Sequence, residues 1–327
     1  SVTTWKVGGV YEPAEMLRLR ITRSRDIRAP NISELYSSDQ LTYTAIVDKQ
    51  TNTQVNVPTL SGGNPDLTPE HANTFTAGVI LAPTDGFARG FRFSADYYKI
   101  KIEEAISRLG TQTIADRCYG GAAEFCDLIT RNSAGAITSI RNPFLNLNAI
   151  ETEGVDFEAS YAVPLRGGAD QLGFRLLATY VAHLTTTDSR GAIDRAGMTG
   201  LPQSGESGVP HWQLNGSVTW DRGPFSATVE GRYIPEGIYD VTLVGPQDAG
   251  YDPALANSIN DNRVPSRFYT NLNLQYDLWN HGGEKGQIFL TVNNLFDVDA
   301  PNAPPRTNAY LVDVLGRAFR VGFRFTH

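Results

Sequence analysis

The segments GQIFLTVNNLFDVD (286–299) and LVDVLGRAFRVGFRFTH (311–327) decide how the rest of the chain is read. In the final strand Phe319, Val321, Phe323 and Phe325 alternate with Arg320, Gly322, Arg324 and Thr326. Successive strand residues point to opposite faces, so one face is apolar and the other polar and cationic. Such a strand separates an apolar medium from water. One strand of this kind also suits a soluble sandwich, whose apolar face meets a second sheet, so the decision rests on the other strands and their connections.

The pattern recurs through the chain. In RFYTNLNLQYDLW (267–279), Leu272, Leu274, Tyr276 and Leu278 oppose Asn271, Asn273, Gln275 and Asp277. HWQLNGSVTW (211–220) and FSATVEGRY (225–233), joined by DRGP, set Trp212, Leu214, Val218 and Trp220 against Gln213, Asn215, Ser217 and Thr219. LGFRLLATYVAHL (172–184) precedes them. Before it comes a long strand ending GVDFEASYAV, where Val155, Phe157, Ala159 and Tyr161 alternate with Asp156, Glu158 and Ser160. FRFSADYYKIKI (91–102), HANTFTAGVIL (71–81), MLRLRITRS (16–24) and TTWKVGGVY (3–11) complete eleven strands.

Connections alternate strictly between turns of about three to eight residues and loops of about fifteen to forty-five, the sorting expected of an outer-membrane barrel and not of a sandwich. Trp212, Trp220, Tyr233, Tyr161 and Trp279, near strand ends, suit aromatic girdles at the two membrane interfaces. The fold expected is an all-β, antiparallel transmembrane β-barrel wall.

Composition agrees. The 327-residue chain is 41% hydrophobic, yet contains no apolar run near the roughly 18 to 20 residues of a membrane helix, so membrane residence requires strands. A net charge of −7 argues against a nucleic-acid partner. No initiator Met or signal peptide precedes SVTTWKVGGVYEP, which reads as a strand, so a mature product or a fragment beginning mid-structure is expected. Cys118 and Cys126 lie in DRCYGGAAEFCD, inside a loop. Their even count and close spacing favour a disulfide and an oxidising compartment; two reduced thiols on a short helix are the alternative.

Several segments resemble the TonB-dependent transporter family of Gram-negative outer membranes: RSRDIRAPNISELY (23–36), LTPEHANTFTAGV (67–79), SADYYKIKIEEAI (94–106), GVDFEASY (154–161) and VNNLFD (292–297). The resemblance covers essentially the whole chain, with the landmarks in order. It implies a barrel of about 22 strands around a plug domain, of which residues 1–327 are the C-terminal half, and uptake of a scarce ligand driven by the TonB–ExbB–ExbD complex. No plug and no TonB-contacting segment are recognisable, so a second polypeptide carrying the plug and the first half of the barrel is expected, from a nicked precursor or a split gene. Left open, eleven strands expose two rows of unpaired backbone groups. Phe325 is followed by Thr326 and His327, a departure from the family habit of ending on an aromatic residue.

Catalysis finds little support, a lipase-like barrel being the form an enzyme would take. The five histidines show no metal-ligand spacing, neither HExxH nor GxSxG occurs, and Asp248, Asp252 and Asp261 are too scattered for calcium. No catalytic residue, metal or cofactor is expected. Arg18, Arg20, Arg92, Asp96, Asp156, Glu158, Glu230, Arg232, Arg320 and Arg324 are expected to face the lumen, where they pair with a plug or simply solvate a wet interior. Tyr36, Tyr43, Tyr239, Tyr251, Asn257, Asn260, Arg263, Arg306 and Tyr310 lie in or beside the long loops and are candidates for stacking on, and hydrogen bonding to, a small-molecule ligand. A siderophore, an oligosaccharide or a plant-derived aromatic is compatible. Outer-membrane lipid and lipopolysaccharide are the expected surroundings; a passive porin-like channel and a surface-binding barrel are the rival functions.

Overall fold

The computed structural model describes residues 3–188, 191–202, 207–281, 284–301 and 308–326. Its main feature is a wall of eleven strands: β1 (Trp5–Ala14), β2 (Leu17–Arg28), β3 (Glu70–Leu81), β4 (Phe91–Ser107), β5 (Leu145–Leu165), β6 (Asp170–Asp188), β7 (Trp212–Arg222), β8 (Phe225–Ile234), β9 (Arg267–His281), β10 (Glu284–Asn293) and β11 (Ala318–Thr326). Each pairs antiparallel with the next in chain order, and Gly191–Asp194 folds back along the end of β6. The wall is not closed: β1 and β11 each pair on one side.

Short turns gather at one end. They use residues that tolerate the left-handed region, Gly90 in the β3–β4 turn, Gly167 and Gly168 between β5 and β6, and Gly223 between β7 and β8. All long excursions leave from the other end.

Register confirms the two faces. Phe323 pairs with Ile288 and Val321 with Leu290 on one side of the wall, while Arg324 pairs with Gln287 and Arg320 with Thr291 on the other. Small residues make room where a large one crosses: a side chain at Gly322 would overlap the Phe289 ring on the wet side, and one at Gly286 would overlap Trp279 on the apolar side. Trp279 in turn contacts Phe323 and Phe325, with centroids 5.7 and 6.4 Å away.

The strands outrun their sequence-based limits. β4 continues beyond Ile102 to Ser107, and β5 spans 21 residues. Beyond the apolar band both faces are wet, so alternation loses its contrast although the ladder continues.

The long connections are also more ordered than the sequence suggests. Between β2 and β3 lies a hairpin, Gln40–Asp48 with Thr53–Ser61. Its second strand pairs parallel with Ile137–Arg141 from the β4–β5 excursion, which pairs antiparallel with Ile129–Arg131. Helices α2 (Thr111–Tyr119) and α3 (Ala123–Cys126) cover this small sheet. Ile46, Val57, Ala105, Leu109, Ile114, Phe125, Ile137 and Ile140 form its core, so two loops fold as one platform. Cys118 and Cys126 are joined by a disulfide between α2 and α3.

Three of the sequence landmarks prove to be joints between loops and wall. In the first, α1 (Ile32–Tyr36) begins with a capping box in which Asn31 and Glu34 satisfy each other's backbone amides. Arg28 then reaches Glu34 at 2.9 Å and Glu70 at 2.7 Å, and Glu70 accepts from the Ile106 amide at 2.6 Å. Glu70 belongs to the second landmark, so the two meet in one ion cluster. In VNNLFD, buried Asn294 accepts from the Val298 amide and donates back to the Val298 carbonyl, while its own amide donates to Asn271 Oδ1. Asp297 Oδ1 accepts from the Arg317 amide just before β11.

Candidate functional site: the wet wall and its mouth

Period-two alternation and antiparallel register place polar residues in rows across the wet face. One row runs Arg20, Gly78, Asp96, Asp156, Thr179, Gln213 over β2 to β7. A second runs Ser94, Glu158, Leu177, Asn215, Arg232, Tyr269, and a third Arg92, Ser160, Arg175, Ser217, Glu230, Asn271. All ten residues expected on the wet side therefore share one face, with Arg18 two residues before Arg20.

Several are engaged with one another. Arg20 holds Asp96 with two hydrogen bonds, of 2.7 and 2.5 Å. Asp156 accepts from Thr179 Oγ1 at 2.7 Å, Glu158 pairs with Arg175 at 2.9 Å, and Arg18 pairs with Glu12 at 2.6 Å. Half-exposed pairs of this kind contribute little stability each and exchange readily with water or another polar surface.

Toward the long loops, the second and third rows form a cavity of about 480 Å³ roofed by Asp313–Gly316. Arg175, Asn215, Glu230, Arg232, Tyr269, Asn271 and Asn293 line it. The Arg232 guanidinium lies 5.3 Å from the Tyr269 ring centre. Sequence reasoning found Glu230 and Arg232 but missed Arg175, because Leu177 two positions later interrupts the polar side of its strand. Asn293, in the VNNLFD landmark, and Asp313, in the closing segment, were not read as lining residues.

The loop residues expected to meet ligand are dispersed. Tyr36, Tyr43 and Tyr310 are exposed, Tyr310 to 91%. Asn257, Asn260 and Arg263 are exposed on the 238–264 excursion, and Tyr251 is half-buried there. Tyr239 is only 2% exposed; it packs with Val264, Leu243 and Ile259, and its hydroxyl donates to the Leu201 carbonyl at 3.0 Å. It is part of the loop's interior. Arg306 lies outside the described residues.

The platform has its own electrostatic tie. Asp48, 3% exposed, accepts from Arg131 at 2.8 and 3.1 Å, joining the two loops. The Arg131 guanidinium, helped by the Gln50 amide, holds the Asp48 carboxyl below the usual carboxylate range against the opposing effect of burial. No group of His, Cys, Asp and Glu among the described residues is arranged to hold a metal ion.

The family model for the TonB dependent receptor-like β-barrel matches residues 1–295. No curated protein matches the chain. Among solved structures, the siderophore receptor PirA from Acinetobacter baumannii is similar, with a TM-score of 0.60 at 14% identity over 99% of this chain and 41% of the receptor. A mutant of the ferric enterobactin receptor PfeA from Pseudomonas aeruginosa, in complex with enterobactin, gives 0.57 at 16% identity, over 98% of this chain and 40% of that one. The iron transporter FrpB from Neisseria meningitidis gives 0.58 at 12%, over 99% and 39%. The chain thus spans about two fifths of the length of these receptors, and at such identities the likeness concerns the fold. Landmarks, two-faced wall, sorted loops and matched family model agree: the chain belongs to the TonB-dependent receptor-like β-barrel family.

Proposed function

We propose that this chain is the C-terminal half of the barrel of an outer-membrane transporter, taking up a scarce small molecule with energy transmitted by TonB. The observation that carries the reading is the polar inner face: three rows, mostly of charged, amide and hydroxyl side chains and interrupted at Leu177, each cross six strands of the wall, backed by an apolar outer face. A wall of this kind needs a wet, reversible partner inside it, which suits a plug that must shift during each cycle. Further strands pairing with β1 and β11, and that plug, complete the barrel. The exposed loop residues and the mouth cavity supply the ligand-facing surface, with Tyr239 holding a loop in shape. Ferric siderophores are the first ligands to try, since the solved neighbours include receptors for them.

The test is uptake of radio-iron siderophore complexes by iron-starved cells with and without the gene, before and after a protonophore. Loss of energy-dependent accumulation on deletion supports the reading. Uptake that survives the protonophore but still needs the gene indicates a passive channel. Mass spectrometry of the receptor purified from outer membranes identifies the polypeptide that carries the remaining strands.

A further inference from the structure

The small sheet of the platform ends in a strand whose outer edge is only half covered. Its strands run in the order Gln40–Asp48, Thr53–Ser61, Ile137–Arg141, Ile129–Arg131, so Gln40–Asp48 is outermost. In an antiparallel pair the main-chain groups of alternate residues point toward the partner strand and away from it. Two observations fix which residues point away. Val47 gives its amide to Gln112 Oε1 at 2.7 Å and takes Gln112 Nε2 on its carbonyl at 3.0 Å, so its groups leave the hairpin. Tyr43, four residues earlier, lies opposite Pro58, which has no amide to give. Leu41, Tyr43, Ala45 and Val47 therefore present their amides and carbonyls along the outer edge.

At Val47 the edge is closed. The Gln112 side chain occupies the place of a peptide group in an adjoining strand, and Lys49 ties α2 there through Asp116 at 3.2 Å. From Leu41 to Ala45 the situation differs. All three outward residues are exposed, and nothing among the described residues bonds their main-chain groups on that side. Proteins blunt a free edge with a charge, a proline or a bulge, or else cover it. LTYTA contains no charge and no proline, and the register from Gln40 to Asp48 runs without a bulge. The remaining device is a cover.

The wall indicates where that cover comes from. Trp5, the first residue of β1, pairs with Arg25, three residues before β2 ends and the chain leaves for the platform. β1 and β2 are joined by a short turn, so alternation of connections makes the one that enters β1 long and puts it at the platform end. We propose that in the complete receptor this connection lays an extended segment along Leu41–Ala45 and adds a fifth strand to the platform's sheet. The inference rests on the reading of the chain as half a barrel. A connection tethered beside the excursion that carries the free strand meets it at high effective concentration, which no separate protein matches. The pairing uses main chain alone and leaves the side chains of Leu41, Tyr43 and Ala45 free to vary.

The test combines hydrogen exchange and photocrosslinking on the complete receptor purified from outer membranes. The Tyr43 and Ala45 amides are expected to exchange at least about tenfold more slowly than those of an open peptide. Tyr43 and Ala45 are also replaced in turn by p-benzoylphenylalanine, as is Val10 on the wet side of β1, and the crosslinked peptides are mapped by mass spectrometry. Positions 43 and 45 should capture the connection that enters β1. Unprotected amides at both residues overturn the proposal, whatever is captured. So does capture only within residues 1–327, from another external loop, or from a different protein. Capture outside residues 1–327 at position 10 but not at 43 and 45 overturns this inference alone. Capture at none of the three defeats the half-barrel reading itself.

Discussion

Arg20 on β2 and Asp96 on β4 reach each other across β3 because Gly78, the residue between them in the row, has no side chain: a Cβ there would overlap Asp96 Oδ1 and crowd Arg20 Nε. The pair also separates charges. Asp96 is the register partner of Asp156, and the guanidinium offsets the repulsion between the two carboxylates. Gly78→Val is expected to destabilise the receptor by about 1–3 kcal/mol through overpacking and loss of the pair. Arg20→Ala alone should cost about 1 kcal/mol. Thermal unfolding in detergent measures both, and equal effects would show that the glycine matters only as the opening for the ion pair.

Asp48 makes the platform sensitive to acid. Its carboxyl titrates lower in the folded state than in the unfolded chain, so the folded state gains stability at pH values above the ordinary carboxylate range. That gain is lost as pH falls through and below it. Limited proteolysis of the 40–61 hairpin should therefore accelerate in strong acid and not near neutrality. Asp48→Asn should weaken the platform by about 2 kcal/mol at neutral pH and abolish this acid dependence.

Arg28 serves two carboxylates that are mostly covered, Glu34 and Glu70 at 11% and 13% side-chain exposure. Arg28→Ala leaves both close together without their cation; because the guanidinium itself is half-exposed, the expected cost is about 1–2 kcal/mol, below that of a fully buried pair. Hydrogen exchange should show the loss first in α1 and at the Ile106 amide, whose acceptor is Glu70.

Reduction of Cys118–Cys126 should loosen α2 and α3 without unfolding the wall. Closing so short a loop is worth about 2–3 kcal/mol, while Ile114 and Phe125 remain in the shared core. Alkylation and peptide mass mapping under non-reducing conditions check the bond, and protease sensitivity around residues 111–128 checks its effect.

Tyr239→Ala tests whether this residue touches ligand or shapes the loop. Its burial and its bond to Leu201 predict greater protease sensitivity across 238–264 and a lower thermal midpoint. Any loss of ligand affinity should follow that loosening. Tyr239→Phe removes only the hydroxyl and is expected to cost about 1 kcal/mol. A variant that lost affinity with the loop intact would place the ring in the binding surface.

The wall was legible because its alternation is enforced by two solvents. Wherever hydrocarbon lies on one side and water on the other, as along Trp212–Trp220 and Phe319–Phe325, residue type reports the face directly. Beyond the girdle that contrast vanishes, and the upper part of β4, past Ile102, escaped notice. The hairpin LTYTAIVD–TQVNVPTLS has strand-like composition, but its partner strand lies some eighty residues further on, and sequence gives no hint of that pairing. At the mouth, Arg175 was hidden by Leu177 on the wet face. Tyr239 looked like a ligand contact because an aromatic loop residue carries the same letter whether it points outward or inward.

The shared platform between the β2–β3 and β4–β5 excursions also constrains how such receptors diversify. Ile46 and Val57 come from one loop, and Ile114, Phe125 and Ile140 from the other. A recombination crossover between them would pair two half-cores with strangers. Exchange of surface specificity by gene shuffling should therefore carry residues 29–144 as one inherited block, while single changes at exposed tips such as Tyr43 can accumulate freely.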